Sequence, residues 1–300
     1  MPKAREVKNR IANIKDIRQI TKAMNAIAMA KVTKLKKQLT QARPYYESLE
    51  EKKQILLKNS SDNHHPLTET SDGDTIGLIS FNSDRGLAGN YSIDINRATR
   101  DFILSEKEKK QVVLFAGGEK GAYYFRSWKE LEETWTHFYE NPQFHHAERI
   151  ALDLRNRFIR DEMKELWAIY MKHHSDFNQE LIVERILPIT PQDNEPSESD
   201  NLNPSNDSQA LPEEYLFEPK KQDITDNFLR TSFAEKIYWI LLNTKTSEHA
   251  IRRRSMRDAT DNANELIDEL TLTYNKARQQ QITREIADII GGAEALREEE

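Results

Sequence analysis

Few residues of this chain have the types and spacing that chemistry needs, and the first group lies in a glycine-containing loop. The run SDRGLAG at 83–89 follows a predicted strand, where a phosphate-binding loop would stand. It lacks the third glycine and the downstream ribose-binding acid of a dinucleotide site, and the pattern G-x-x-x-x-G-K-[ST] occurs nowhere in the chain. We therefore interpret this loop, and the Gly117-Gly118 turn after the next strand, as structural turns.

Three pairs of adjacent histidines form the second group: His64-His65, His145-His146 and His173-His174. Neighbours on a strand point to opposite faces, and neighbours on a helix lie about 100° apart. Metal sites favour spacings that bring both rings to one face. The chain has no cysteine, which excludes a disulfide scaffold, a Cys-ligated zinc site and a Cys nucleophile. The sequence therefore predicts no catalytic residue, no metal site and no cofactor.

The third feature is an uneven distribution of charge. The net charge is −6, yet residues 1–43 carry 12 Lys and Arg against two acids, and residues 191–214 carry seven acids and no base. A basic helix can contact nucleic acid, anionic lipid or an acidic protein partner. No aromatic residue precedes Tyr45, so base stacking is unsupported and we expect no nucleic-acid binding. A solvated face, or a face turned to an acidic partner, is the better interpretation.

A long helix at each end of the chain must position these residues. Residues 3–40 contain neither Gly nor Pro, and their apolar side chains recur every three or four positions with phase slips. We expect Ile17, Ile20 and Ile27 on the buried stripe of this helix, and we expect Pro44 to kink or end it. The C-terminal helix carries an a/d seam followed by a shifted set that starts at Ile282. The predicted seam positions are Met256, Ala259, Ala263, Leu266, Leu270, Thr273, Ala277 and Gln280.

The middle of the chain changes period and predicts an α/β domain. Its β-rich runs are 75–81, 111–116, 166–171 and 181–187, with helices near 91–108, 119–126 and 144–165. Alternating strands and helices predict a parallel or mixed sheet with helices on its faces. The two terminal helices bracket this domain, and their narrow apolar seams must be covered. We therefore predict a long antiparallel two-helix coiled coil with an inserted Rossmann-like α/β domain.

This organisation divides the chain into four parts. They are an N-terminal shaft helix at 1–60, an α/β foot domain at 75–190, an acidic mobile loop at 191–219 and a C-terminal shaft helix at 220–300. No apolar run approaches 18 residues, and the start lacks the apolar core of a secretory signal. We expect a soluble protein of a reducing compartment.

The same residues resemble the gamma subunit of rotary F-type ATP synthases. The N-terminal resemblance includes Arg5-Glu6-Val7 and ITKAM at 20–24, and the C-terminal one includes ATDNA at 259–263 and YNKARQ at 274–279. The loop at 83–89 and the run YLFEP at 215–219 add further matches, so nearly the whole chain is covered in order. The departures are Ala88, Arg253, Arg254, Asp258, the long acidic insertion and the acidic end; they indicate a divergent or second-copy form, or a sodium-translocating relative.

The resemblance implies a non-catalytic rotor subunit of the central stalk. Proton or sodium flow would turn a membrane ring together with this chain, and the rotation would change the state of catalytic sites on partner subunits during ATP synthesis or hydrolysis. The implied partners are the alpha and beta subunits of the catalytic hexamer, the epsilon subunit and the membrane rotor ring. The implied location is peripheral, on the cytoplasmic face of the bacterial inner membrane.

The resemblance also assigns contact residues. Those implied to touch the catalytic hexamer are Lys22, Met24, Arg278, Gln279, Thr283 and Glu285, and those implied at the membrane ring or foot are Tyr215, Leu216, Phe217 and Glu218. Two other functions stay open from the residues alone. One is an α/β enzyme with a helical dimerisation arm, for which Asp84, Arg85 and the histidine pairs are the candidates. The other is a coiled-coil adaptor unrelated to ATP synthesis.

Overall fold

The computed structural model describes residues 4–58, 65–69, 73–137, 139–190 and 221–298. The elements in chain order are α1 (Ala4–Lys58), β1 (Thr75–Phe81), α2 (Tyr91–Glu106), β2 (Gln111–Gly117), α3 (Glu119–Phe125), β3 (Leu131–Trp135), α4 (Phe144–Ile159), β4 (Glu165–His173), β5 (Gln179–Leu187) and α5 (Lys221–Glu298). The chain divides into two compact units. The helical unit is Met1–Ala30 with Arg252–Glu300, and the α/β unit is Lys31–Ile251.

Five strands of the α/β unit form one mixed sheet in the order β3-β2-β1-β4-β5. β1 pairs in parallel with β2 and β4, β2 pairs in parallel with β3, and β5 runs antiparallel to β4. The predicted mixed sheet with helices between its strands is confirmed. β3 was not among the predicted strands, because its sequence LEETW places two glutamates in a five-residue edge strand.

Helices cover both faces of this sheet, and the strand period of two sends neighbouring side chains to different cores. On β1, Leu78 joins the core built with α2 and α3, whereas Ile79 joins the core built with α4 and α5. Both side chains are fully buried. Burying an aliphatic side chain of this size stabilises the fold by about 1.5–3 kcal/mol, so each face contributes to holding the sheet against its helices.

Of the two outcomes expected at Pro44, a kink or an end, the helix does not end there, because α1 continues through Pro44 to Lys58. Proline removes one backbone donor but leaves the rest of the helical pattern possible when packing supports it. Tyr46, half a turn later, stacks on Trp239 of α5 with ring centroids 4.7 Å apart and planes 3° from parallel. Its hydroxyl also accepts a hydrogen bond of 3.2 Å from Lys236. These contacts hold the turn that follows the proline.

In the helical unit, α1 and α5 run antiparallel, as the sequence predicts. Thr260 donates a hydrogen bond of 2.8 Å to Thr21, and Arg18 donates one of 3.2 Å to Asn264. A step of three residues back along α1 is therefore matched by a step of four residues forward along α5. The coiled-coil prediction is confirmed in its topology.

The register of the predicted seam is wrong by one residue in places. Leu266 was expected in the seam but is 45% exposed, whereas Ile267 is 8% exposed. On α1, Ile17, Ile20 and Ile27 are each more than half exposed. The seam alternates steps of three and four, and a hydropathy pattern cannot choose between two adjacent apolar residues. It also overlooks a polar pair such as the two threonine hydroxyls, which replaces apolar residues between the helices.

No helix in the part of the chain that the structure describes has the length and apolar character needed to cross a membrane.

Candidate functional site

The expected hexamer contacts on α5 lie where that helix has passed the start of α1. Both helices rise about 1.5 Å per residue, so the pairing of Thr21 with Thr260 brings the described start of α1 level with about residue 277 of α5. The four predicted residues on α5 are all exposed: Arg278, Gln279, Thr283 and Glu285. The exposure follows from the helix having no described neighbour at this level in its own unit.

Aliphatic side chains share this section of α5. Ile282, Ile286, Ile289 and Ile290 are all exposed, and Ile289 is the most exposed of them at 71%. Residues seven apart lie on one helical face, so Arg278 and Glu285 share a face on which Ile282 also lies. An exposed helix surface that combines apolar and charged side chains in this way is typical of a site that a partner covers.

A second candidate surface is a basic groove between the two helices of the helical unit. It encloses about 890 Å³, and its basic residues are Lys15, Arg18 and Lys22 of α1 with Arg253 and Arg257 of α5. Two acids, Asp16 and Asp261, also line it. Arg253, one of the departures from the family pattern, thus lies in the same groove as the predicted contact residue Lys22. Met24 is half-buried and is not among the lining residues.

The sequence did not predict a buried polar segment at 243–249 of α5 (NTKTSEH). All seven residues have an exposed fraction of at most 3%. A surface helix is normally polar on its exposed face and apolar on its buried one, so a polar run buried on every side needs partners from several elements. Its one sequence signal is the loss of apolar periodicity between the apolar residues before 243 and Ala250.

Lys245 is the centre of this segment and is fully buried. Its Nζ lies 2.8 Å from Glu248 Oε2, 3.7 Å from Glu140 Oε2 and 3.8 Å from Asp84 Oδ2. It also lies 4.8 Å from the centre of the Tyr139 ring. Burial of an unpaired ammonium is strongly unfavourable, and three carboxylates with an aromatic face offset that cost.

Glu140 connects this cluster to α1. Lys31 of α1 donates a hydrogen bond to Glu140 Oε1, while Lys245 faces Oε2 of the same carboxylate. Burial alone would raise the pKa of Glu140, but the bond from Lys31 and the positive charges nearby outweigh burial and hold its pKa below the usual value. The carboxylate therefore stays ionised between two lysines from different helices.

Neighbouring residues of the buried polar segment bond to the sheet and its loops. Ser247 Oγ donates to the carbonyl of Met171 at 3.1 Å, and Asn243 Oδ1 accepts from the backbone N–H of His173 at 3.2 Å. The Tyr91 hydroxyl donates to the carbonyl of Thr244 at 3.4 Å. Polar groups on several sides of α5 are thus bonded to β4 and α2.

The loop at 83–89 uses its acid internally. Asp84 is buried, and its Oδ1 accepts hydrogen bonds from the backbone N–H groups of Glu119 and His137 at 3.1 and 2.9 Å. Its other oxygen faces Lys245. This carboxylate occupies the first backbone N–H group of α3 and one that follows β3, and it places a negative charge where a phosphate would bind, so the geometry favours a structural turn over an anion site.

The histidine pairs have separate surroundings. His65 contacts Asp226 at 3.2 Å, His174 contacts Glu180 at 2.7 Å, and the rings of His145 and His146 lie 4.0 Å apart. His64 lies outside the described residues. Among the residues that are described, no three His, Asp or Glu side chains are grouped in a way that could hold a metal ion.

The predicted contacts at the membrane ring or foot lie outside the described residues, as does the acidic segment at 191–214. They are Tyr215, Leu216, Phe217 and Glu218.

Comparison with known proteins gives matches over nearly the whole chain. A family model described as ATP synthase matches residues 3–296. The ATP synthase gamma chain of Heliobacterium modesticaldum is 34% identical over 297 residues, which cover 99% of this chain and 100% of that relative. The ATP synthase gamma chain of Moorella thermoacetica is 34% identical over 298 residues, with the same coverage.

Solved structures with the same fold come from mitochondrial ATP synthases. A chain from the OSCP/F1/c-ring structure of the Euglena gracilis enzyme has a TM-score of 0.65 at 19% identity and covers 98% of this chain and 94% of its own length. A chain from the central stalk and c-ring of the Tetrahymena thermophila enzyme has a TM-score of 0.59 at 20% identity, covering 80% of this chain and 99% of its own. At these identities the likeness shows a shared fold.

Proposed function

Because this chain belongs to the family of ATP synthase gamma chains and is a rotor subunit of the central stalk, we propose that it acts on the catalytic hexamer through the C-terminal section of α5. The observation that carries this proposal is the exposure of α5 beyond the start of α1. Arg278, Gln279, Thr283 and Glu285 offer polar groups there, and isoleucines surround them. As the helix turns, each catalytic site meets a different face of this surface.

The basic groove of the helical unit is the second proposed contact with the hexamer. Lys22 lies in it beside Lys15, Arg18, Arg253 and Arg257. An exposed groove with this excess of positive charge favours acidic loops of the alpha or beta subunits. Exposed ion pairs are individually weak, about 0–1 kcal/mol, so the contact can form and break with each turn. Met24, half-buried nearby on α1, would add an apolar contact at the edge of this surface.

The proposed partners at the other end are the epsilon subunit and the membrane rotor ring. The run YLFEP at 215–219 supports this proposal through its resemblance to the family alone. We place the chain peripherally on the cytoplasmic face of a bacterial inner membrane, since the gamma chains of Heliobacterium modesticaldum and Moorella thermoacetica, which it matches over their full length, are bacterial. Separation of membranes from cytosol, with release of the chain by washing at low ionic strength, tests this location.

The chain is a stalk subunit, and we propose that it carries no catalytic site of its own. The inward-facing Asp84, which bonds to two backbone N–H groups, supports this proposal against the enzyme alternative. Family membership also removes the adaptor unrelated to ATP synthesis. Calorimetric titration of the isolated chain with Mg-ATP should give no binding at micromolar concentrations; binding that Asp84→Ala abolishes would contradict the proposal.

The double substitution Arg278→Ala with Gln279→Ala tests the hexamer contact. Hydrogen bonds to charged groups contribute about 1.5–3 kcal/mol each, and a bond made in only one rotational state would change the rate about tenfold. We expect steady-state ATP hydrolysis by the assembled complex to fall about tenfold while the melting temperature of the isolated chain is unchanged. Lys107→Ala with Glu108→Ala, on the exposed loop after α2, is the matched control. Unchanged turnover would refute the contact.

A further inference from the structure

We propose that Lys245 is a positioning residue that fixes the angular position of α5 in the α/β unit, so that the buried polar segment at 243–249 passes torque between helix and sheet domain. This inference rests on the rotor function above and concerns residues of the α/β unit that are not among the proposed contacts with the hexamer. Its basis is a fully buried lysine that faces carboxylates from two loops of the domain, Asp84 and Glu140.

Twisting α5 against the domain must strain the contacts of this segment. Successive residues of a helix are about 100° apart, so a rotation by one residue carries every donor and acceptor to a new side. The bonds from Ser247 to the Met171 carbonyl and from the His173 N–H to Asn243 would break together. Lys245 would leave Asp84 and Glu140, and only Glu248, which turns with it, would remain.

Apolar packing alone would resist such a rotation less. The segment is preceded by Ile240, Leu241 and Leu242, all fully buried. Burial of apolar area is non-directional, so one apolar side chain can replace another in the same groove at little loss. Hydrogen bonds and ion pairs in a buried site have fixed geometry, and a charge left without its partner there is strongly unfavourable. The polar segment therefore specifies one angle.

The cluster also ties the second helix to the same point. Glu140, on the loop between β3 and α4, contacts Lys245 of α5 through one oxygen and Lys31 of α1 through the other. Asp84, on the loop after β1, is itself fixed by two backbone N–H groups. Torque that enters through the sheet domain thus reaches α1 and α5 through Glu140, and reaches α5 also through Asp84, whose other oxygen is held by the backbone.

The test compares variants in the complete complex. Lys245→Met removes the cation and leaves buried carboxylates unpaired, so it destabilises the chain. The triple substitution Lys245→Met, Asp84→Asn and Glu248→Leu removes the charged trio while Asp84→Asn keeps an oxygen for the N–H groups of Glu119 and His137. Lys107→Met is the matched control, because it makes the same change at an ion pair outside the cluster, where the lysine side chain is 59% exposed.

Two measurements decide the outcome. In the first, the hexamer is fixed to a surface and a bead is attached to the α/β unit, so that the angular fluctuations of the bead give the torsional stiffness. In the second, the complex is reconstituted into vesicles, which gives the number of ions pumped per ATP hydrolysed. For the triple variant we expect a melting temperature near that of the wild type, a stiffness lower by about twofold or more, and a lower pumping ratio. The control should match the wild type in both measurements.

A triple variant that folds, assembles and keeps wild-type stiffness would overturn the proposal. So would a triple variant that fails to fold, because the charges would then serve stability and not angular position. Stiffness is measured without ion flow, so it tests Lys245 separately from the rotor function. Failure of the rotor function would appear as a wild-type complex that hydrolyses ATP without pumping.

Discussion

Leu266 and Ile267 are adjacent aliphatic residues of α5 with opposite surroundings, and they give the sharpest test of the helical unit. Ile267→Asp should lower the free energy of unfolding by about 2–4 kcal/mol, because it removes a buried aliphatic group and buries a carboxylate. Leu266→Asp should change it by about 0.5 kcal/mol or less, since that side chain is 45% exposed. Denaturant titration followed by circular dichroism measures both. Equal losses would place both residues between the helices.

His173 makes a pH-dependent contribution to stability. Burial, together with the charge of Lys36 and neighbouring His174, lowers its pKa from 6.5 to about 4, while Asp176 opposes the shift. Between these two values the unfolded chain binds the proton and the folded chain does not, so stability is present above pH 6.5 and is lost as the pH falls. The slope contributed by this one group reaches about 1.4 kcal/mol per pH unit.

His173→Gln should therefore flatten the dependence of unfolding free energy on pH between about 6.5 and 4. His137→Gln is the control, because that ring is exposed and is not among the groups that shift the pKa of His173. Denaturant titrations at half-unit pH intervals would measure both slopes. A His173→Gln slope as steep as that of the wild type would assign the acid sensitivity to other groups.

At the scale of elements, Pro44 is the residue of α1 least suited to its place. It is exposed inside a continuous helix, where proline removes one backbone hydrogen bond. Pro44→Ala should raise the free energy of unfolding by about 1–3 kcal/mol, as helix propensities indicate. Arg43→Ala, at the exposed neighbouring position, serves as the control. A loss of stability would show that the proline sets the helix direction that stacks Tyr46 on Trp239.

The strands show why some elements are predictable from sequence and others are not. β1 has the predicted bounds because TIGLISF is buried on both faces and is apolar almost throughout. β3 alternates half-buried and exposed residues and includes two adjacent glutamates, so its five residues lack a distinct signal. Its parallel pairing with β2, a long-range contact, decides its structure. Propensity is a weak guide for such an edge strand.

The candidate sites divide in the same way. The motif YNKARQ marked Arg278 and Gln279 because a sequence run carries the resemblance. The buried polar segment was missed because hydropathy assigns Lys245 to the surface. The fold brings Asp84 and Glu140 to Lys245 from positions more than 100 residues away in the sequence. Glu248 lies three residues further along the same helix. Buried charge of this kind depends on tertiary partners that periodicity cannot reveal.

At the scale of the whole molecule, the two units differ in how much they bury. The larger core of the α/β unit brings together sheet residues with Leu154, Phe158, Leu229 and Phe233. In the helical unit, the described buried apolar residues are Val7, Ala28, Met256, Ala263 and Ile267. Regions with more buried apolar contacts resist local unfolding more strongly, so the α/β unit should resist it more than the helical unit.

Hydrogen exchange of the isolated chain should therefore be fast for α5 after residue 277 and slow for β1 and β4. We expect protection factors to differ by at least about 100-fold between these regions. Mass spectrometry of peptides after timed exchange measures this, with β1 as the internal reference. Equal protection along α5 would show that its C-terminal section is stabilised without a partner. If the prediction holds, assembly with the catalytic subunits should slow hydrogen exchange in the section of α5 after residue 277.

The exposed isoleucines near the end of α5 have a consequence for the cell. A copy of this chain that has not met its partners presents Ile282, Ile286, Ile289 and Ile290 to water. Such a surface is what chaperones and proteases recognise in unfinished proteins, and what drives precipitation when they are overwhelmed. Supply of the chain must therefore be matched to supply of its partners, because every surplus copy is a substrate for quality control.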